Sequence, residues 1–128
     1  MAEKKRVLIA DDVDVNRKAI RTFLHFFHFE ATLASDGLEA KKALEAEGGA
    51  FDLIVSDIEM PNMNGFEFLA FVKKSPIHRN VPVIMLSTLD SPEVMERCKR
   101  LGASSYIVKP FTKEKFETAL SALNLTTK

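Results

Sequence analysis

The chain has 128 residues, 46% of them apolar, and its 18 Lys plus Arg balance 18 Asp plus Glu to a formal net charge of zero. That composition suits a single domain over residues 1–128 with a real core, and it argues against a nucleic-acid surface as the main business. The longest apolar run, Phe68 to Val72, falls far short of the ~20 residues a membrane span needs.

Short β-rich runs alternate with longer segments of helical spacing. Strands are predicted at Val7–Ala10, Ala31–Ala34, Leu53–Val55, Val83–Leu86 and Tyr106–Val108. The first helix follows from Ile20, Phe23, Leu24 and Phe27, at i, i+3, i+4 and i+7, and the second runs from Leu38 to Ala46. The third carries Phe66, Leu69, Phe71 and Val72; the fourth Val94, Met95, Cys98 and Leu101; the fifth Phe116, Ala119, Leu120 and Leu123. Asp36 with Glu39, and Asn64 with Glu67, have capping-box spacing. Ser91-Pro92-Glu93 and Thr112 supply two more helix starts, while Gly48-Gly49 and Gly102 mark helix ends. A β-α unit repeated five times implies parallel strands with right-handed helical crossovers, hence a three-layer α/β/α sandwich.

The chemistry lies at the strand exits. Asp11-Asp12 follow the first strand, Ser56-Asp57 the third, Ser87-Thr88 the fourth and Lys109-Pro110 the fifth. In an open parallel sheet, ligands bind beyond the carboxyl ends of the strands. A single Asp at such an exit is ordinarily a turn or cap residue, but the same sheet edge here collects three carboxylates, a hydroxyl pair and an ammonium. Such carboxylates repel one another unless a cation sits among them, and oxygen ligands without His or Cys favour Mg²⁺. Lys109-Pro110 is a candidate cis peptide that would aim the lysine inward.

Four segments carry a family resemblance: LIADD at 8–12, SDIEMPNMNGFEFL at 56–69, PVIMLST at 82–88 and GASSYIVKPF at 102–111. In this order and spacing the chain resembles the receiver domain of two-component response regulators, of the single-domain chemotaxis CheY type. The resemblance implies a flavodoxin-like (βα)5 fold with sheet order 2-1-3-4-5 and no output domain. It implies that Asp57 accepts a phosphoryl group from a histidine kinase, with Mg²⁺ held by Asp11, Asp12, Asp57 and the backbone carbonyl of Glu59. Ser87 would hydrogen-bond the phosphoryl group and Lys109 would pair with it. Ser87, Thr88 and Tyr106 would form the switch. The protein would be a phosphoacceptor rather than an enzyme, a monomer read by a separate target such as a flagellar motor switch. Glu59 and Leu89 depart from the commoner residues at two positions that govern water's access to the acyl phosphate, and Thr88 is bulkier than the usual neighbour of the switch hydroxyl.

Two other classes compete. A phosphohydrolase would use Asp57 as nucleophile with Glu59 two residues on, though the haloacid-dehalogenase type it resembles has Asp there. A flavodoxin-type electron carrier would need a hydroxyl- and glycine-rich phosphate loop where this chain has Asp11-Asp12-Val13-Asp14. A phosphorelay intermediate outside chemotaxis is the nearer alternative. His25 and His28, three apart on a helix, lack a third ligand and read as surface residues. Cys98 reads as a small core hydrophobe and excludes a disulfide framework, which fits a reducing cytoplasm. The four apolar residues after MAEKKR are too few for a signal peptide, and Lys4-Lys5-Arg6 reads as a solvated lead-in to the first strand.

Overall fold

The structure, a computed structural model, describes residues 4–47 and 50–125. Ten elements alternate: β1 (Lys5–Ala10), α1 (Asp14–Phe26), β2 (Phe29–Ala34), α2 (Gly37–Glu47), β3 (Leu53–Asp57), α3 (Gly65–Lys74), β4 (Val83–Ser87), α4 (Pro92–Arg100), β5 (Ser105–Val108) and α5 (Lys113–Ala122). All strand pairs are parallel and the sheet order is β2-β1-β3-β4-β5, as expected for a flavodoxin-like fold.

The two-residue period of the strands splits the core in two. Val7, Ile9, Leu53, Val55, Ile84 and Leu86 face Ile20 and Leu24 of α1 and Phe116 and Leu120 of α5. Leu8, Ala10, Ile54, Val83 and Met85 face the other layer, with Leu44 of α2, Phe68, Leu69 and Val72 of α3, and Cys98 of α4. Each fully buried Leu, Ile or Phe contributes roughly 1.5–3 kcal/mol, so two such faces hold the sheet rigidly between helices.

Asn64 forms the expected capping box with Glu67, and Ser91 and Thr112 cap α4 and α5 through their side chains. The Asp36 pair differs by one residue. Asp36 Oδ1 accepts the Glu39 N–H at 2.7 Å, but Glu39 Oε1 reaches past it to the Ser35 N–H at 2.8 Å. Gly102 lies at φ 104° after α4; its N–H donates to the Lys99 carbonyl and that of Ala103 to the Cys98 carbonyl, a Schellman ending. Gly48-Gly49 lie outside the described residues.

Two expectations need correction, and one exposed aromatic is new. His28 is not on α1 but beyond its end, at φ 69°, where it takes the left-handed position glycine usually fills; like His25 it is exposed. Lys5 and Arg6 belong to β1 and are half-buried, with the Arg6 N–H donating to Asp52 Oδ2 at 2.8 Å. Phe26 is 59% exposed and covered on one face by Lys113, whose Nζ lies 3.8 Å from the ring centroid. No helix among the described residues is long and apolar enough to cross a membrane.

Candidate functional site

Sheet register brings the carboxylates together. Ala10 of β1 pairs with Ser56 of β3, so the residues that follow them, Asp11 just past β1 and Asp57 at the end of β3, emerge side by side. Asp57 and Ser87 are the last residues of their strands rather than the first beyond them, which fixes their backbones in the ladder. Carboxylate oxygens of Asp11, Asp12 and Asp57 all lie within 4.8 Å of one another. Asp11 and Asp57 are buried; Asp12 is exposed and accepts no hydrogen bond among the described residues.

Lys109 joins them from two strands away. Its N–H donates to the Ser87 carbonyl at 2.7 Å, which registers the residue beside the β4 exit. Its side chain crosses that exit: Nζ lies 2.9 Å from Asp57 Oδ2 and 3.3 Å from Asp11 Oδ2. The Lys109–Pro110 peptide is cis. Asp57 Oδ1 accepts the N–H of Ile58 at 2.8 Å, so each oxygen has one donor and keeps a free lone pair.

The electrostatics follow from this crowding. Burial pushes the Asp57 carboxyl above its ordinary value; Lys109 opposes the shift and the Asp11 charge adds to it. Burial by itself would lower the Lys109 ammonium, but Asp57 and Asp11 outweigh it and hold the group above its ordinary value. One ammonium therefore faces two buried carboxylates and an exposed third. Three hard oxygen donors with no sulfur or imidazole among them fit a small divalent cation such as Mg²⁺.

The hydroxyl residues form a separate chain. Ser87 is buried, and its Oγ accepts the Leu89 N–H at 3.0 Å; the Leu89 carbonyl accepts the Tyr106 hydroxyl at 2.7 Å. Burial raises the Tyr106 phenol, and the nearby Ser87 hydroxyl pulls it the other way. Thr88 and Glu59 are exposed, each one or two residues past a buried site residue, and no hydrogen bond from the Thr88 side chain reaches the carboxylates among the described residues. Met95 and Tyr106 line a groove of about 610 Å³ between α4 and β5, and Val108 lines a neighbouring one against α5.

Two residues that frame the site carry no motif of their own. Gly65 opens α3 against the β3 exit: its N–H donates to the Ile58 carbonyl at 2.7 Å, and a Cβ there would lie 2.2 Å from the Asp57 carbonyl oxygen. Arg17, on α1, donates from Nη1 to the Asp11 carbonyl at 2.6 Å. Gly65 was legible only as part of the Asn64 helix start. Arg17 gave no signal beyond standing in the first turn of a helix that opens on Asp14.

Comparison with known proteins agrees with this fold. The family model of the response regulator receiver domain matches residues 7–121. The chain is 33% identical over 125 residues to the 3',5'-cyclic-nucleotide phosphodiesterase regA of Dictyostelium discoideum, covering 94% of this chain and 16% of that protein. It is thus a small fraction of the length of the curated relatives it matches. Among solved structures, chemotaxis protein CheY4 of Vibrio cholerae superimposes with a TM-score of 0.85 at 34% identity, over 93% of this chain and 98% of that one. The CheX-CheY-BeF3-Mg complex of Borrelia burgdorferi gives 0.87 at 28%, over 94% and 89%.

Proposed function

The chain belongs to the response regulator receiver domain family, and from that premise we propose that Asp57 accepts a phosphoryl group from a phosphohistidine on a sensor histidine kinase. The observation that carries this is Asp57 itself: a buried strand-end carboxylate 2.9 Å from a lysine ammonium and grouped with Asp11 and Asp12. An Asp57 oxygen bonds to phosphorus as the donor's P–N bond breaks, and the departing imidazole takes a proton. The fold's contribution is position and neutralisation, since the donor supplies the energy of its own bond. Asp12, Asp57 and the Glu59 carbonyl would hold Mg²⁺ directly, with Asp11 acting mainly through water. Bound there, the ion neutralises charge on the transferring phosphoryl oxygens. Lys109 is placed to take a second phosphoryl oxygen, and Ser87 a third.

The phosphorylated domain is read by a cytoplasmic partner across α4, β5 and α5, where the grooves beside Met95, Tyr106 and Val108 lie. We assign the output to chemotaxis, with a target such as a flagellar motor switch, on the likeness to a solved protein named for that process. A relay role outside chemotaxis is the second reading, supported by the likeness to a cyclic-nucleotide phosphodiesterase. Affinity capture from lysate with the wild type, with and without beryllofluoride and Mg²⁺, separates them. Recovery of a motor component only in the presence of both ligands supports chemotaxis, and recovery of a histidine phosphotransfer protein supports the relay.

A further inference from the structure

Every polar group of Asp11 is engaged by the protein. Its N–H donates to the Ala34 carbonyl at 3.1 Å, Oδ1 accepts the Val13 N–H at 2.9 Å, and Oδ2 accepts Lys109 Nζ at 3.3 Å. Its carbonyl accepts Arg17 Nη1 at 2.6 Å. This last bond is the only one of the four that a side chain sends to the backbone, and it is shorter than the ~2.9 Å common for N–H···O pairs. The other arm of the same guanidinium, Nη2, donates to Asp14 Oδ1 at 3.0 Å, and Lys18 Nζ holds Asp14 Oδ2 at 3.0 Å. The Arg17 side chain is only 15% exposed, so its fork is confined between the first turn of α1 and the loop before it.

Resting on the reading of Asp12 and Asp57 as a divalent-cation site, we propose that Arg17 is a positioning residue for that site. It clamps the carbonyl joining Asp11 to Asp12, and thereby sets where the exposed Asp12 carboxylate stands relative to Asp57. Mg²⁺ demands near-ideal octahedral geometry at short ligand distances, whereas Ca²⁺ tolerates longer and less regular sets. A clamp on the loop therefore favours the smaller ion.

Charge and position make opposite demands here. A guanidinium near a cation site repels the cation, so electrostatics alone says that removing Arg17 tightens metal binding. A positioning role says that removal loosens it. Arg17→Lys keeps the charge and loses the planar fork, because one ammonium cannot replace two fixed arms. Arg17→Met loses both.

The test is calorimetric titration of the full chain with MgCl₂ and, separately, CaCl₂, for wild type and both variants. Arg17→Lys is expected to bind Mg²⁺ about ten-fold more weakly, the scale found for partners that orient metal ligands. Ca²⁺ affinity is expected to fall less, so the Mg²⁺-to-Ca²⁺ preference drops. Partial unfolding would lower the number of sites for both ions alike and leave that ratio unchanged, which separates positioning from stability. Arg17→Met is expected to lose Mg²⁺ affinity at least as much. An unchanged affinity and ratio in Arg17→Lys, or tighter Mg²⁺ binding in Arg17→Met, overturns the inference. A wild type that binds neither ion overturns the metal reading itself, and the inference with it.

Discussion

Lys109 Nζ stands 2.9 Å from Asp57 Oδ2 although the two residues leave the sheet on strands with β4 between them. The lysine stem spans that exit and its ammonium also reaches Asp11, so one cation offsets two buried carboxylates. Removing it leaves two like charges without a counter-charge, each held, among the described residues, only by a backbone N–H. Lys109→Met is expected to cost about 2 kcal/mol in metal-free buffer at neutral pH, below the full penalty for a broken buried pair because the site edge is partly solvated. Urea denaturation reads this directly, and an unchanged midpoint would contradict the pairing.

Asp57 carries a stability cost of its own. Burial and the Asp11 charge hold its folded carboxyl above the ordinary 3.8, despite Lys109. The folded state therefore binds this proton more tightly than the unfolded state does. Stability contributed by the group is greatest at low pH and falls as pH rises through the window above 3.8. Asp57→Asn removes the charge at constant shape. The variant should melt above the wild type at neutral pH without divalent ions, and the gap should close as pH falls toward that ordinary value. A lower melting point at neutral pH would reverse the sign.

Gly65 is held by close approach. A Cβ would meet the Asp57 carbonyl oxygen at 2.2 Å and the Ile58 Cα at 2.6 Å, both backbone atoms that cannot turn aside. Gly65→Ala is expected to cost roughly 1–3 kcal/mol, as overpacking usually does. Because the displaced atoms carry Asp57, Mg²⁺ affinity measured by titration should fall as well. Full stability with full affinity would show that α3 can back away from the strand.

Much of this was legible in the residues. The short β-rich runs placed all five strands, most plainly β1 and β4, whose continuous apolar runs mark strands buried on both faces, whereas the edge strands β2 and β5 are partly exposed. The spacing of Asn64 and Glu67 gave the α3 box, and the polar residues at the strand exits gave the acidic cluster. The misses have local causes. His28 looked helical because a left-handed ending needs no glycine when the backbone can hydrogen-bond there, as its N–H does to the His25 carbonyl. Asp57 ended the strand instead of following it because periodicity does not register the ladder bond from Ile58 N–H to the Leu86 carbonyl. Arg17 and Gly65 were silent because their roles lie in contacts to backbone atoms, which no residue pattern encodes.

We propose that the route out of the site runs through Ser87, Leu89 and Tyr106. Ser87 Oγ holds the Leu89 amide, and the Leu89 carbonyl holds the Tyr106 hydroxyl. A phosphoryl oxygen that recruits the Ser87 hydroxyl would pull on this chain and bias Tyr106 inward. A charged hydrogen bond supplies roughly 1.5–3 kcal/mol, less than the ~5.5 kcal/mol of a complete switch, so Lys109 and the loop after β4 must contribute too. Target affinity measured with and without beryllofluoride should rise less in Ser87→Ala than in wild type. An intact rise in the alanine variant would remove the hydroxyl from the route.

The central claim is that Asp57 is the acceptor. The most direct measurement is mass spectrometry of the intact chain and of its peptides after incubation with acetyl phosphate and Mg²⁺. The account predicts one phosphoryl group per chain, located at Asp57, dependent on the metal and absent from Asp57→Asn. Full phosphorylation of the folded Asp57→Asn variant, or a phosphoryl group mapped to another residue of the wild type, would contradict it.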